Sequence, residues 1–215
     1  MSTKRTYGDA CGIAHALDLV GERWALLVVR ELLFGPKRYT DLRRSLPAAS
    51  PNIVSQRLTE LEEVGVVQRR RLAPPAGAWV YELTPWGHEL EPMLIALGNW
   101  ALRSPLLDPD GSLSVVSAVL TLRTYFDTAR HADWSASFDL RFGEEHFAVR
   151  IDSGHLSVVR DQATAPDAVI DTQAKTFVEL LTGRNTIADA TADGSLSTSG
   201  DGTAVDRLFG SVTMP

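Results

Sequence analysis

Four short polar side chains, Asn52, Ser55, Gln56 and Thr59, recur at i, i+3, i+4 and i+7, the spacing that lines one face of a helix. Groups of this kind read base-pair edges. Gln56 and Asn52 each carry a donor and an acceptor, the combination that suits adenine in the major groove, while Ser55 and Thr59 are small enough to let a backbone approach. Arg57, in the same segment, has the reach for a base or a phosphate. Cations for phosphate contacts lie on either side: Lys37, Arg38, Arg43 and Arg44 precede the segment, and Arg69, Arg70 and Arg71 follow it. Alternation along a strand sends Arg69 and Arg71 to one side. Other chemistries find no comparable set. No phosphate-loop lysine follows Gly194, Gly200 or Gly202, no Gly-x-Ser-x-Gly elbow occurs, and a single cysteine with scattered histidines makes no zinc cluster. No cofactor, no metal and no enzyme activity are expected.

A polar helix face on its own is usually just solvated, so its meaning depends on the elements around it. From Cys11 to Phe34 the apolar positions Leu17, Val20, Trp24 and Leu27 recur at helical spacing, with Gly21 a possible break and Gly35-Pro36 a stop. Thr40 is read as the N-cap of a short helix bearing Leu42 and Leu46, and Pro47-Ala48-Ala49 as the turn after it. Ser50 then caps a helix that opens on Pro51, runs to Val64 and ends at Gly65. Its apolar stripe is Val54, Leu58 and Leu61, opposite the polar row. Strands follow at Val66 to Leu72 and Ala78 to Thr84, with Ala73-Pro74-Pro75-Ala76-Gly77 between them. Thr84 and Pro85 are expected to open one long helix whose stripe of Leu90, Met93, Leu94, Leu97, Trp100 and Ala101 is wider than a small domain needs, which suggests a dimer seam.

Ser104 to Ser112 reads as a linker, so two domains are expected, at 1–104 and 113–215. Their charges differ. Residues 1–104 hold 13 Lys and Arg against 11 Asp and Glu, whereas residues 105–215 hold 8 against 16, within a chain of net charge −6. One half tolerates a polyanion and the other avoids it. In the second half a helix from about Leu113 to Arg130 precedes alternating stretches, Trp134 to Phe142 and Phe147 to Ile151. Strands near Leu156 to Arg160, Ala168 to Asp171 and Ser195 to Ser199, with helices at Phe177 to Leu181 and Val205 to Phe209, complete an α+β domain. The polar N-terminal stretch lacks a signal-peptide core, and no apolar run approaches the ~20 residues of a membrane span. A cytoplasmic protein without a membrane partner is expected.

The first half resembles the HxlR family of bacterial winged-helix regulators over nearly all of Cys11 to Trp100. The resemblance rests on Cys11, Leu19-Val20-Gly21-Glu22-Arg23-Trp24, Gly35-Pro36-Lys37-Arg38-Tyr39 with Asp41-Leu42, Ser50-Pro51 with Gln56-Arg57-Leu58 and Leu61-Glu62, and Tyr81-Glu82-Leu83-Thr84 with Gly87 and Leu90. It implies a mainly α winged helix-turn-helix domain that binds double-stranded DNA as a homodimer on a two-fold symmetric operator. The first and last helices would form the seam, through Leu17, Trp24, Leu90, Leu94, Leu97 and Trp100. The hairpin loop is less polar than the family pattern, so a minor-groove contact from its tip is not expected. More loosely, residues from Leu113 onward resemble the sterol-carrier-protein fold through Asp167-Ala168-Val169-Ile170, Phe177 with Leu180-Leu181 and Gly183, Asp193-Gly194-Ser195-Leu196, Gly200-Asp201 and Leu208. That likeness implies an α+β sterol-carrier-like domain with an apolar cavity for a small-molecule effector, lined by Trp134, Phe138, Phe142, Phe147 and Phe177 unless these are plain core. The helix from Thr84 to Arg103 would join the two functions. In some family members a cysteine at the place of Cys11 senses oxidants; a small buried residue is the alternative. The expected function is a repressor; the rival is a lipid carrier that uses its helix-turn-helix only to dimerise.

Overall fold

The computed structural model describes residues 6–73, 77–108 and 111–213. The chain divides into two units, Met1–Leu107 and Asp108–Pro215. Unit 1 runs α1 (Gly12–Val20), α2 (Ala25–Glu31), α3 (Tyr39–Ser45), α4 (Pro51–Glu63), β1 (Val67–Arg71), β2 (Trp79–Leu83), α5 (Pro85–His88) and α6 (Glu91–Ala101). Its core gathers Val28, Val29 and Leu32 from around α2, Leu42 of α3 and Leu46 at its C-cap, Val54, Leu58 and Leu61 from α4, and Val67, Val80 and Leu83 from the hairpin. Burial of these side chains, at roughly 1.5–3 kcal/mol each, holds the helices to the hairpin.

Local signals explain where the elements start and stop. The Ser50 hydroxyl accepts a hydrogen bond from the Ile53 amide at the start of α4, and Gly65 ends that helix at φ +76°. Gly21 caps α1, so the first helical stretch is two helices. Thr40 is not the N-cap of α3: Arg38 holds that place in extended backbone, and Thr40 lies inside the helix. The long helix expected after Thr84 is also two. Thr84 caps α5 by accepting from the Gly87 amide, but Pro92 has no N–H to donate to the preceding turn, and the chain restarts as α6. At Gly87 a Cβ would lie 2.1 Å from the Val66 carbonyl oxygen, so only glycine lets α5 sit this close to the base of the hairpin.

Unit 2 consists of α7 (Val115–Tyr125), β3 (Ala136–Phe142), β4 (Glu145–Asp152), β5 (His155–Val159), β6 (Ala168–Thr172), α8 (Ala174–Leu181), α9 (Ile187–Ala192), β7 (Leu196–Gly200) and α10 (Gly202–Phe209). The strands form a mixed sheet in the order β5-β4-β3-β6-β7, with β3 and β6 parallel and the other pairs antiparallel. The α+β class is as the alternation predicted. The sequence reading missed α9, a six-residue helix with one buried residue, Ala190. Phe138, Leu140, Phe147, Ile170 and Phe177 make the centre of the core. Asp139 is buried, accepting from Arg141 Nε at 2.7 Å, from the Ala163 amide at 3.5 Å and, when Nδ1 bears the proton, from His146 at 3.3 Å. Burial pushes its carboxyl up, but the hydrogen bonds outweigh that and leave it below the usual carboxylate range. Ala163 lies in the connection from β5 to β6, so this carboxylate ties that crossing to the sheet.

Unit 1 also buries charge. Lys37 is 4% exposed, its Nζ 2.9 Å from Glu31 Oε2 and 2.8 Å from Ser45 Oγ, while Arg30 reaches Glu31 Oε1 at 2.8 Å. The reason is in the backbone: Lys37 exchanges hydrogen bonds with Tyr81 of β2 in both directions, which fixes the residue against the hairpin. Lys37 therefore does not serve as a phosphate contact. Burial raises the Glu31 carboxyl, but the charges of Lys37 and Arg30 hold it below its ordinary value. A carboxylate with a lowered folded pKa stabilises above the ordinary carboxylate range, and the stabilisation is lost as pH falls through the folded value. Lys37→Met is expected to cost about 3–5 kcal/mol in urea unfolding at neutral pH by stranding Glu31, and to flatten the acid limb of stability; Lys37→Met with Glu31→Leu should recover part of the loss. Unchanged stability in the single variant would show that the pair is not a structural tie.

Candidate nucleic-acid interface

Helices α3 and α4 with the hairpin build one continuous surface, and α4 is its centre. Because Val54, Leu58 and Leu61 are buried, Asn52, Ser55, Gln56 and Thr59 are turned outward, and all four are exposed. Two ties set the placement of α4. At its start the Tyr39 hydroxyl donates to the Pro51 carbonyl at 2.9 Å; just past its end the Thr84 hydroxyl donates to the Gly65 carbonyl at 2.7 Å. The second tie fixes the base of the hairpin to the C-terminus of the helix, so that helix and hairpin keep a set spacing.

The polar row is partly engaged already. Thr59 Oγ1 donates back to the Ser55 carbonyl at 3.1 Å, and Gln56 Nε2 donates to Glu60 Oε1 at 2.9 Å. Arg57 does not reach outward. It sits three residues after Val54 and four before Leu61, on the buried stripe, and its guanidinium is 3.2 Å from Glu22 and 2.9 Å from Glu60. Helical register and two carboxylates hold it inside, so Arg57 is not a base or phosphate contact. Ile53, apolar but outside the buried stripe, is exposed beside Asn52.

Cations frame the row. Arg38, Arg43 and Arg44 are exposed along α3. Arg43 and Arg44 also line an open hollow of about 670 Å³ with Thr40, Pro47, Ala48, Ala49, Ser50 and Pro51, at the turn into α4. On the hairpin, Arg69 faces Tyr81 and Arg71 faces Trp79 in the register, which puts both arginines on one side. The Arg69 guanidinium lies over the Trp79 ring at 4.6 Å, and Arg71 Nε donates to the Gly77 carbonyl at 2.9 Å. Stacking and hydrogen bonding thus hold two long cations in extended, exposed positions. Arg70 is on the other side, paired with Glu82 at 2.7 Å. The hairpin tip at 74–76 lies outside the described residues.

The seam candidates divide. Leu17, Leu97 and Trp100 are exposed, whereas Trp24, Leu90 and Leu94 are half-buried. Met93, named in the same apolar stripe, is exposed too, and so is Ile13 of α1, which was not part of that reading. No residue of α6 is buried, although the helix is largely apolar, so within unit 1 it has an unpartnered side. Between α1 and the α5–α6 segment lies an apolar groove of about 180 Å³ lined by Ala16, Leu19, Val20, Val66, Trp86, Glu89, Leu90 and Met93.

The aromatic candidates of unit 2 are core rather than a lining. Phe142 packs edge-on against Phe147 and Phe177, Phe177 against Phe209, and Trp134 against Phe138. All five proposed ring residues are buried, and each packs against another ring. Cys11 is exposed at the N-cap of α1. The amides of Ile13 and Ala14 lower its thiol pKa, although neither makes a hydrogen bond of normal geometry with it. This helix-end effect, and the exposure of the side chain, set Cys11 apart from the small buried residue weighed as the alternative. Among the described residues no group of three or more His, Cys, Asp or Glu can hold a metal, and no helix is long and apolar enough to cross a membrane.

Comparison with known proteins covers both units. Residues 19–105 match the family model described as HxlR-like helix-turn-helix, and residues 117–215 match that of the alkyl sulfatase C-terminal domain. The second match makes the sterol-carrier likeness read from the residues more specific, as a likeness to a domain of alkyl sulfatases. The regulator sll1512 of Synechocystis is 37% identical over 90 residues, 42% of this chain and 67% of the relative. YvaP of Bacillus subtilis, also an HTH-type transcriptional regulator, is 37% identical over 86 residues, 40% of this chain and 80% of the relative. For unit 2, the solved structure of the stereoselective inverting sec-alkylsulfatase Pisa1 from Pseudomonas sp. aligns at 18% identity with a TM-score of 0.40, covering 42% of this chain and 15% of that one. With the helix-turn-helix, the hairpin and the family matches together, the chain belongs, through its first unit, to the HxlR-like helix-turn-helix family of DNA-binding transcriptional regulators.

Proposed function

We propose that the protein is a sequence-specific repressor that binds a two-fold symmetric DNA site as a homodimer and carries in unit 2 a regulatory domain for an apolar small molecule. The observation that carries this reading is the exposed row Asn52, Ser55, Gln56 and Thr59 flanked by outward cations on α3 and β1. In this reading α4 enters the major groove, Gln56 and Asn52 read base edges, and Arg38, Arg43, Arg44, Arg69 and Arg71 take phosphates. Ser50 and Pro51 bring the N-terminus of α4 toward the backbone. The second copy docks on the exposed side of α6 and on Ile13 and Leu17 of α1, which are otherwise left in water. Unit 2, with its acidic excess, stays off the duplex. An effector there changes DNA affinity only by the difference in its own affinity for the two states of the dimer. The chain is not assigned an enzymatic activity.

A second reading concerns Cys11, and the specific observation is its exposure at a helix N-terminus whose amides lower the thiol pKa. In that reading oxidation or alkylation of Cys11 regulates DNA binding from the dimer helix.

Selection from a randomised DNA pool should give an inverted repeat with half-sites about one helical turn, ~34 Å, apart or a multiple of it. Gln56→Ala is expected to relax preference at one position per half-site. Arg69→Ala should instead weaken all sequences alike and reduce the log-log salt slope by roughly 0.9 for every phosphate that is no longer neutralised. Equal effects of the two variants on every sequence would count against base readout by α4. Sedimentation should give a dimer for the native chain and a folded monomer for Leu97→Glu with Trp100→Glu; a dimer that survives both substitutions places the seam elsewhere. For Cys11, the alkylation rate should reach its half-maximum at a lower pH in the folded chain than in urea, and identical profiles would remove the case for a tuned thiol.

A further inference from the structure

The row that reads DNA in the proposed function contains one side chain that is not free to choose its orientation. Gln56 Nε2 is 2.9 Å from Glu60 Oε1. A carboxylate only accepts hydrogen bonds, so the amide nitrogen must face Glu60, and a flipped amide would set its carbonyl oxygen against a negative charge. Glu60 is itself held. Its Oε1 also accepts from Arg57 Nη2 at 3.1 Å, and its Oε2 lies 2.9 Å from Arg57 Nη1. Arg57 is buried and is anchored in turn to Glu22 at 3.2 Å, at the joint between α1 and α2. One hydrogen bond from Nη2 and a close charge contact from Nη1 of the same buried, planar guanidinium restrain this carboxylate more than a water would.

From this chain of contacts we infer that Glu60 is a specificity-determining positioning residue: it fixes the polarity of the Gln56 amide and so selects which base Gln56 accepts. The inference rests on Gln56 being a base reader. With one amide N–H committed to Glu60, Gln56 has one N–H and its carbonyl oxygen left. Those are the donor and the acceptor that adenine requires at N7 and N6. Guanine offers two acceptors at the same edge and can be met by only the single remaining N–H, while the fixed carbonyl oxygen opposes O6. The carboxylate adds to the discrimination, because its negative charge near the groove disfavours the acceptor-rich edge of guanine. Arg57 and Glu22 extend the arrangement, since they hold the carboxylate that holds the amide.

A double-mutant cycle on the full-length dimer tests this, with base preference at the Gln56 position read by competitive binding to the selected site and its three single-base variants at that position. Glu60→Gln keeps the side chain's length and its acceptor oxygen but removes the charge and allows either amide orientation. The expected result is a loss of about tenfold in adenine over guanine preference, within the range a bidentate pair supplies. Affinity for unrelated DNA should change far less. In the Gln56→Ala background the same Glu60→Gln substitution should leave the base preference unmoved. Glu60→Asp, which retains the charge but withdraws it by one methylene, should fall between the two. Thermal unfolding of each variant provides the structural control. If Gln56→Ala alters preference and Glu60→Gln does not, the positioning role is overturned while the base-reader assignment stands. If Glu60→Gln weakens every sequence equally its role is structural, if it strengthens every sequence equally its role is a general repulsion of phosphate, and in either case, or if it acts as strongly without Gln56, the inference fails. Should Gln56→Ala itself leave preference unchanged, both the reader and its positioning residue are refuted together.

Discussion

The two-sided register of α4 is the constraint on which the rest of unit 1 depends. Three buried aliphatic side chains on one face of a thirteen-residue helix leave no alternative place for Asn52, Ser55, Gln56 and Thr59. Rotating α4 by one residue would bury amides without partners and expose the core, at a cost of several kcal/mol. The ends are fixed as firmly, by Ser50 and Tyr39 at the start and by Gly65 and Thr84 at the finish. The hairpin inherits its position from the last of these ties, and with it the stacked Arg69 and the tethered Arg71.

Much of this was legible in the sequence because it is local. Helix register, the Ser50-Pro51 start and the alternation that places Arg69 and Arg71 together depend on residues a few positions apart. What was not legible depends on pairing across the fold. Lys37 and Arg57 carry the same charge as Arg43 and Arg44, and nothing in the immediate neighbours of Lys37 sets it apart. Lys37 is drawn in by a backbone bridge to Tyr81, forty-four residues later, and by Glu31. For Arg57 a signal was available: it lies in the same helical row as Val54 and Leu61, and a charged residue on an apolar row calls for a carboxylate such as Glu60, three residues on. The break before α6 was also marked, by Pro92.

Unit 2 shows the opposite balance. Its fold class followed from alternation, but its chemistry did not, because aromatic residues that alternate along strands fill a core and line a cavity with the same pattern. In the structure the rings meet one another edge-on, and the buried charge is Asp139, fastened to a crossing loop rather than displayed. The match of residues 117–215 to the alkyl sulfatase C-terminal domain agrees with the α+β architecture of this unit.

Side-chain amide resonances give the most direct test of the central claim, that the outward face of α4 is the surface that meets DNA. On titration with a duplex carrying the selected site, the account predicts large shifts of the Asn52 and Gln56 side-chain NH₂ signals at 1:1 dimer to duplex, with those of Gln162, Gln173 and Asn185 in unit 2 unmoved. Saturable binding that leaves Asn52 and Gln56 unshifted, or that moves only the amides of unit 2, would contradict it.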